Sequence, residues 1–390
     1  MGAGRHEVKR PEHFSRTNPV VPPIYQSTTF QLDDHSYEDI HQGGLKETWY
    51  SRFSNPTVEV TASEVARLEG AEAALMTSSG MAAIATTLLT MLSEGARVVA
   101  ARELYGDTRD LLVRDLPRFG IEIDWVDADN IDQWSSAGKS GKATVFFGEC
   151  LSNPQLKLLD IPAVASLAHK AGATFIVDNT FATPYMVNPL TLGADIVVHS
   201  ATKFLNGHSD VIAGSVVGDE ATIREVQRRV ITFGGSLDPH AAYLVHRGLK
   251  TFEVRIARQT INAQEIAEFL QGREDVLRVA YPGLASYRWR EVAEKLLKNG
   301  RTGAMVTFVV AGGDRRALAF MRSLQLAHEA TSLGGVETLV STPFNSSHFS
   351  LTAEERKDAG IDFGMVRLSV GIEQADLLVE DIRQALDQTA

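Results

Sequence analysis

From about residue 57 onward the chain alternates short apolar runs with stretches of helical period, and this alternation constrains its fold more than any other feature. Runs at 73–76, 96–100, 121–126, 144–147, 174–177, 196–198 and 211–217 read as strands. Stretches at 57–69, 80–92, 107–119 and 161–171 carry the apolar spacing of helices, the first ending at Gly70. Strands that are apolar without alternation are covered on both faces, and intervening helices supply the cover. The pattern predicts an α/β fold with a mostly parallel, seven-stranded sheet. Beyond about residue 240 the texture changes. Helical patterns at 241–270 and 286–298, with apolar runs at 304–310 and 366–370, predict a smaller α+β domain with its own sheet. Residues 1–56 lack periodicity and hold turn formers such as Pro19, Pro22, Pro23, Gly43 and Gly44. A stretch this long without elements predicts an arm laid on a neighbouring subunit. The expected division is therefore 1–56 arm, 57–245 large domain and 246–390 small domain.

Composition narrows the function. Thirty-eight basic against 49 acidic residues give a formal charge of −11, which disfavours nucleic acid and anionic membranes as partners. Any anionic ligand must be held by a local cationic or amide-rich pocket. The single cysteine, Cys150, permits no intrachain disulfide, as suits a reducing compartment. Residues 1–6 do not read as a secretory signal, and the longest mainly apolar run, 81–92, is too short to span a bilayer. The expectation is a cytoplasmic protein.

Three places can carry chemistry. Lys203 follows the apolar run 194–199 within Ser200-Ala201-Thr202-Lys203, just beyond a strand's carboxyl end, where open α/β sheets bind ligands. It can form a Schiff base with a carbonyl cofactor, and Ser200 and Thr202 can bond a phosphate. Alone, it reads better as a solvated loop lysine. Asp178 ends the run 175–177, 25 residues earlier. A carboxylate there can hold a pyridine nitrogen protonated, or simply cap a turn. Ser78-Ser79-Gly80-Met81 precedes an apolar helix, whose free N–H groups suit a phosphate. Neither a nucleoside-triphosphate nor a dinucleotide glycine motif is present. Together the three places meet the requirements of pyridoxal 5′-phosphate. His199, His208 and Asp210 match no metal-ligand spacing, and no metal is expected.

With these residues in view, the chain resembles the cystathionine γ-synthase family of pyridoxal-phosphate enzymes of sulfur amino-acid metabolism, from Pro19 on. The resemblance is carried by Tyr50-Ser51-Arg52, Asn55-Pro56-Thr57, Ser79-Gly80-Met81, Tyr105-Gly106, Ser152-Asn153-Pro154, Asp178-Asn179-Thr180, His199 to Lys203, Arg247-Gly248-Leu249-Lys250-Thr251, Ser332-Leu333-Gly334-Gly335 and Arg367-Leu368-Ser369. It implies the aspartate-aminotransferase-like fold (fold type I). It also implies roles. Lys203 would carry the cofactor and move protons, and Asp178 would pair with the ring nitrogen. Ser79, Gly80, Met81, Ser200 and Thr202 would hold the phosphate. Tyr105 would stack on the ring and assist at the leaving group. Tyr50 and Arg52 would reach the phosphate in a neighbouring subunit, and Arg367, Asn153 and Ser332 would hold the substrate carboxylate. A homotetramer of two catalytic dimers, with a small amino acid as substrate, is implied as well.

The chain departs from the family pattern at several positions. Thr331 stands where many γ-synthases and γ-lyases carry Glu, Asp107 where methionine γ-lyases carry a reactive Cys, and Phe53-Ser54 where Tyr-Gly is usual. Glu149-Cys150-Leu151-Ser152 replaces Glu-Ser-Pro-Ser. Ser332-Leu333-Gly334-Gly335, lacking the Trp of β-lyases, points to γ-chemistry. The leading expectation is γ-replacement on an O-activated homoserine, with a thiol or other nucleophile adding to a vinylglycine-type intermediate. The alternative is a γ-lyase of the cystathionine or methionine type, which yields a 2-oxoacid, ammonia and a thiol. A third reading is a binding or regulatory module on the same fold; intact Lys203 and Asp178 argue against it.

Overall fold

A computed structural model describes residues 19–45, 48–139, 143–345, 352, 354, 356 and 360–389. Most of the first third of the proposed arm, including residues 1–6, lies outside the described residues.

The large sheet has seven strands: β1 (Ala73–Thr77), β2 (Arg97–Ala101), β3 (Glu122–Val126), β4 (Val145–Glu149), β5 (Thr174–Asp178), β6 (Ile196–His199) and β7 (Gly214–Gly218). Their order is β1-β7-β6-β5-β4-β2-β3. Neighbours from β3 to β6 pair in parallel, while β7 runs antiparallel to both β6 and β1. Six strands therefore share one direction. Every residue of β2, β4, β6 and β7 is buried, which explains the absence of polar alternation in the sequence. Trp134, Phe146, Phe147 and Phe175 fill the core against this sheet.

Local signals set the helices. In the helix Pro56–Glu69, Asn55 Oδ1 accepts from Thr57 N–H at 3.0 Å, Pro56 opens the first turn, and Gly70 closes the helix at φ 70. The second sheet, of order β10-β11-β12-β9-β8, comprises β8 (Val276–Ala280), β9 (Met305–Val310), β10 (His328–Glu329), β11 (Leu339–Ser341) and β12 (Met365–Ser369). Its own core holds Phe308, Phe320, Leu378 and Ile382. The long helix Phe252–Gln271 serves both cores: Phe252 and Ile256 pack on the large one, Ala263 to Leu270 on the small one.

The structure revises several expected elements. The arm contains a helix, Asp34–His41, capped by Asp33, which accepts from Ser36 N–H at 2.9 Å. The helix expected at 107–119 is α-helical only over Gly106–Asp110, then widens and tightens over Leu111–Phe119, because Pro117 cannot supply the interior N–H. The single helix expected at 241–270 is two, Pro239–Leu249 and Phe252–Gln271. The strand expected at 211–217 begins only at Gly214, because Ala213 bonds through both its N–H and C=O to Thr202 instead of to a strand. Among the described residues no helix is long and apolar enough to cross a membrane.

Candidate active site

Eleven of the thirteen residues singled out above meet at the carboxyl edge of the large sheet, linked by short contacts. Lys203 lies in the turn that follows β6, and its Nζ donates to Ser332 Oγ at 2.7 Å. Burial, and secondarily the charge of Arg367, lowers its ammonium to about 8. Arg367, on β12, crosses from the small sheet: Nη1 donates to Asn153 Oδ1 at 3.0 Å and Nη2 to Ser332 O at 3.0 Å. It is 6% exposed, its Nε has no partner, and among the described residues no carboxylate pairs with it. Burial alone pulls its guanidinium down to about 10. Ser332 sits at φ 79, a left-handed conformation that costs a non-glycine residue free energy and is found mainly at functional positions.

Asp178 ends β5 and is buried. Thr180 N–H donates to its Oδ1 at 2.9 Å, and Thr180 Oγ1 in turn accepts from Ser200 N–H at 2.8 Å. Burial raises the Asp178 carboxyl against the opposing hydrogen bonds from Thr180. Ser79 caps the helix Gly80–Met91, its Oγ accepting from Ala82 N–H at 3.0 Å. The N–H groups of Gly80 and Met81 fall in the first turn, where the helix offers no acceptor. A Cβ on Gly80 would lie 2.7 Å from Ser200 Cβ, so the two backbones close a tight cradle. Met81 Sδ also accepts from Thr108 Oγ1 at 3.8 Å.

Tyr105 follows β2 and is 40% exposed. Its hydroxyl donates to Asp107 Oδ2 at 2.8 Å. Burial first, then Asp107, pushes the phenol up to about 12.

Tyr50 and Arg52 stand apart. Tyr50 bridges to Thr29 within the arm, and Arg52 Nη1 donates to Ile231 O at 2.9 Å while its guanidinium lies over the Tyr50 and Phe53 rings.

Sequence reasoning missed three groups. Glu149, the last residue of β4 and the register partner of Asp178, accepts from Tyr105 N–H at 2.5 Å and from Asn153 N–H at 3.1 Å. Glu69, fully buried, accepts from His199 Nε2 at 2.7 Å, Asn179 Nδ2 at 2.8 Å and Asn188 Nδ2 at 3.0 Å. Arg255 donates to the carbonyls of Phe204, Leu205, Asn206 and Gly248 and to the Thr251 hydroxyl, gripping the turn that carries Lys203. A strand-end acid in register with Asp178 was the available signal for Glu149; for the others there was none. His199 is thus engaged by a carboxylate within the core, and among the described residues no three His, Cys, Asp or Glu side chains are grouped to hold a metal ion.

Residues 6–387 match the family described as Cys/Met metabolism PLP-dependent enzyme. The chain belongs to that family. An L-methionine γ-lyase of Fusobacterium nucleatum subsp. polymorphum is 44% identical over 379 residues, covering 95% of this chain and 94% of its own. A cystathionine β-lyase of Lactococcus lactis subsp. cremoris is 40% identical over 377 residues, covering 95% of each. The crystal structure of a cystathionine γ-synthase from Xanthomonas oryzae pv. oryzae, in complex with aminoacrylate and cysteine, superposes with a TM-score of 0.89 at 35% identity, covering 95% of this chain and 93% of that one.

The family's cofactor is pyridoxal phosphate, and this chain's residues fit it. Asp178 is a buried carboxylate at the strand edge that, among the described residues, forms no ion pair with a Lys or Arg, so a pyridinium can be its partner. The amine of Lys203 is held near 8, so a free amine is available close to neutral pH. The Gly80 cradle opens onto helix amides, the arrangement that binds phosphate. The chain is therefore a pyridoxal-phosphate-dependent enzyme of the aspartate-aminotransferase-like fold, as its sequence resemblance implies.

Proposed function

We propose that the protein is a γ-lyase that cleaves the Cγ–S bond of a γ-thio-substituted L-amino acid and, with water, releases a 2-oxoacid, ammonia and a thiol. The observation that carries an α-amino acid substrate is Arg367. A buried guanidinium without an anion is costly, and a planar carboxylate meets its fork in two parallel hydrogen bonds. Asn153 and Ser332 flank it and orient that carboxylate.

Bound pyridoxal phosphate supplies the electron sink that stabilises negative charge at Cα. The protein supplies the rest. Asp178 keeps the ring nitrogen protonated, and the Gly80–Met81 amides with Ser79, Ser200 and Thr202 hold the phosphate. Lys203 Nζ, uncharged in part near neutral pH, takes the Cα proton, hands it on and then takes a Cβ proton, whose C–H electron pair forms the Cβ–Cγ double bond as the γ-sulfur departs. The Tyr105 phenol is still protonated at neutral pH and donates its proton to the departing sulfur, which leaves with the Cγ–S electron pair.

The high identity to methionine γ-lyases favours elimination over the γ-replacement expected from sequence. Replacement is the second reading, supported by the close superposition on a γ-synthase across nearly the whole chain. Product analysis decides between them. Holoenzyme is incubated with L-methionine, cystathionine, O-acetylhomoserine and O-succinylhomoserine, each with and without cysteine. A 2-oxoacid formed from the thioethers, and undiminished by cysteine, is the expected result. A new thioether formed in place of the 2-oxoacid would overturn it in favour of replacement.

A further inference from the structure

We infer that Glu149 is a positioning residue that sets both ends of the substrate pocket at once. Its two oxygens serve two loops. Oε1 accepts from the N–H of Tyr105, in the loop after β2, and Oε2 from the N–H of Asn153, in the loop after β4. Strand β4 lies between β2 and β5, so a side chain at its carboxyl end reaches the loop on one side while its register partner on the other is Asp178. Glu149 is itself 7% exposed; its bond to Asn153 is buried and that to Tyr105 partly so. A buried N–H must find an acceptor, and two N–H groups from separate loops need two acceptor atoms at one place. A carboxyl provides them. An amide offers one acceptor and presents a donor to the other N–H. Burial and the neighbouring Asp178 charge raise the Glu149 carboxyl well above the usual range.

The loops so joined carry opposite duties. Tyr105 presents its hydroxyl, bonded to Asp107, at the leaving-group end. Asn153 passes its Oδ1 to Arg367 at the carboxylate end. Glu149 thus fixes the distance between the phenol and the guanidinium without touching substrate. The duties assigned to Tyr105 and Arg367 rest on the function proposed above.

The test compares holoenzyme of Glu149→Gln with wild type. Removing one of the two acceptors that these N–H groups share is expected to raise KM for L-methionine about tenfold and lower kcat about tenfold. Glycine has the carboxylate but no γ-substituent, so its dissociation constant, followed in the cofactor's visible absorption, reads the Asn153 end apart from any turnover. It is also expected to rise about tenfold. In an Asn153→Ala background, Glu149→Gln should weaken glycine binding little further, because it acts through Asn153. If Glu149→Gln melts at a lower temperature but keeps wild-type glycine affinity and kcat/KM, or if the two substitutions are additive, the inference is overturned. Should Glu149→Gln fail to fold, Glu149→Asp, whose carboxyl is one carbon too short to serve both loops, replaces it: weaker glycine binding supports the inference and wild-type binding overturns it. Failure of the proposed reaction reads differently. Weakened glycine binding in Glu149→Gln, alongside a wild-type enzyme that releases no 2-oxoacid, would remove the γ-lyase reading and leave the positioning role supported.

Discussion

At the residue scale, two side chains have proton affinities that predict pH behaviour. Lys203 is held down to about 8, by burial first and by Arg367 second. Below that value the ammonium dominates; above it the free amine does. At pH 7 about a tenth of the chains carry the amine, and at pH 9 about nine tenths. Capture of pyridoxal phosphate by cofactor-free protein should therefore accelerate about tenfold between pH 7 and pH 9, as followed by stopped-flow absorbance. Arg367→Leu removes the second cause and should move the midpoint upward; a wild-type midpoint near that of a free lysine would contradict the reading. Tyr105 shows the opposite effect. Asp107 is the second reason, after burial, that its phenol lies near 12. Asp107→Asn should lower the phenol's midpoint in a spectrophotometric titration and bring the alkaline limb of the elimination rate to lower pH. Lys203 and Asp178 were legible in the sequence because each ends or follows a buried run, whereas Arg367, in the middle of β12, was legible only through the family resemblance. Glu149 and Thr180 were not, because they work through backbone N–H groups. Tyr105, whose N–H bonds to Glu149, lies 44 positions away along the chain.

At the scale of elements, the buried strands were the most legible feature, since a strand covered on both faces has no polar alternation to obscure it. Helix ends decided by tertiary contact were not legible. The sequence at 241–270 reads as one continuous helix, yet Gly248 packs so closely on the Lys203 turn that a Cβ there would lie 2.2 Å from Asn206 O. Arg255, one turn into the second helix, then donates to the carbonyls of that same turn. The break at Lys250 and Thr251 turns the second helix so that this side chain reaches the site. Strand β7 makes a comparable approach. A Cβ on Gly214 would lie 2.1 Å from the carbonyl oxygen of Ser79, which caps the helix Gly80–Met91 proposed to hold the phosphate. Both atoms are fixed by backbone, so neither a rotamer change nor a flexible tip can relieve the clash. Gly214→Ala should cost at least about 2 kcal/mol of stability in thermal or denaturant unfolding. Because the strain falls on the Ser79 cap, it should also weaken pyridoxal phosphate binding. A variant that melts and binds like wild type would show that β7 does not set the helix position.

At the scale of the whole molecule, the position of Arg52 raises a question of assembly. Eleven of the residues inferred from sequence meet around Lys203, but Arg52 donates to Ile231 O in the helix Glu220–Phe233, Tyr50 bridges to Thr29, and among the described residues neither hydrogen-bonds to that cluster. The sequence was informative here only through family resemblance. Periodicity cannot indicate that an arm serves a site in another copy, because nothing local distinguishes it from an arm folded over its own domain. If Arg52 completes a neighbouring copy's site, two inactive variants must rescue one another. In Arg52→Ala the chain keeps Lys203 but lends its neighbour no guanidinium; in Lys203→Ala it lends the guanidinium but has no lysine of its own. A mixed dimer then contains one site with both groups and one with neither. Random pairing of equal amounts makes about half of all dimers mixed, so the mixture should recover about a quarter of wild-type activity. The measurement dissociates the two variants, mixes them, reassociates them and assays 2-oxoacid release. Arg52→Ala alone should bind pyridoxal phosphate more weakly, since a charge-assisted contact to phosphate is lost. Activity in the mixture no greater than the mean of the two variants would place Arg52 in its own chain's site and would require the arm to fold back over Lys203.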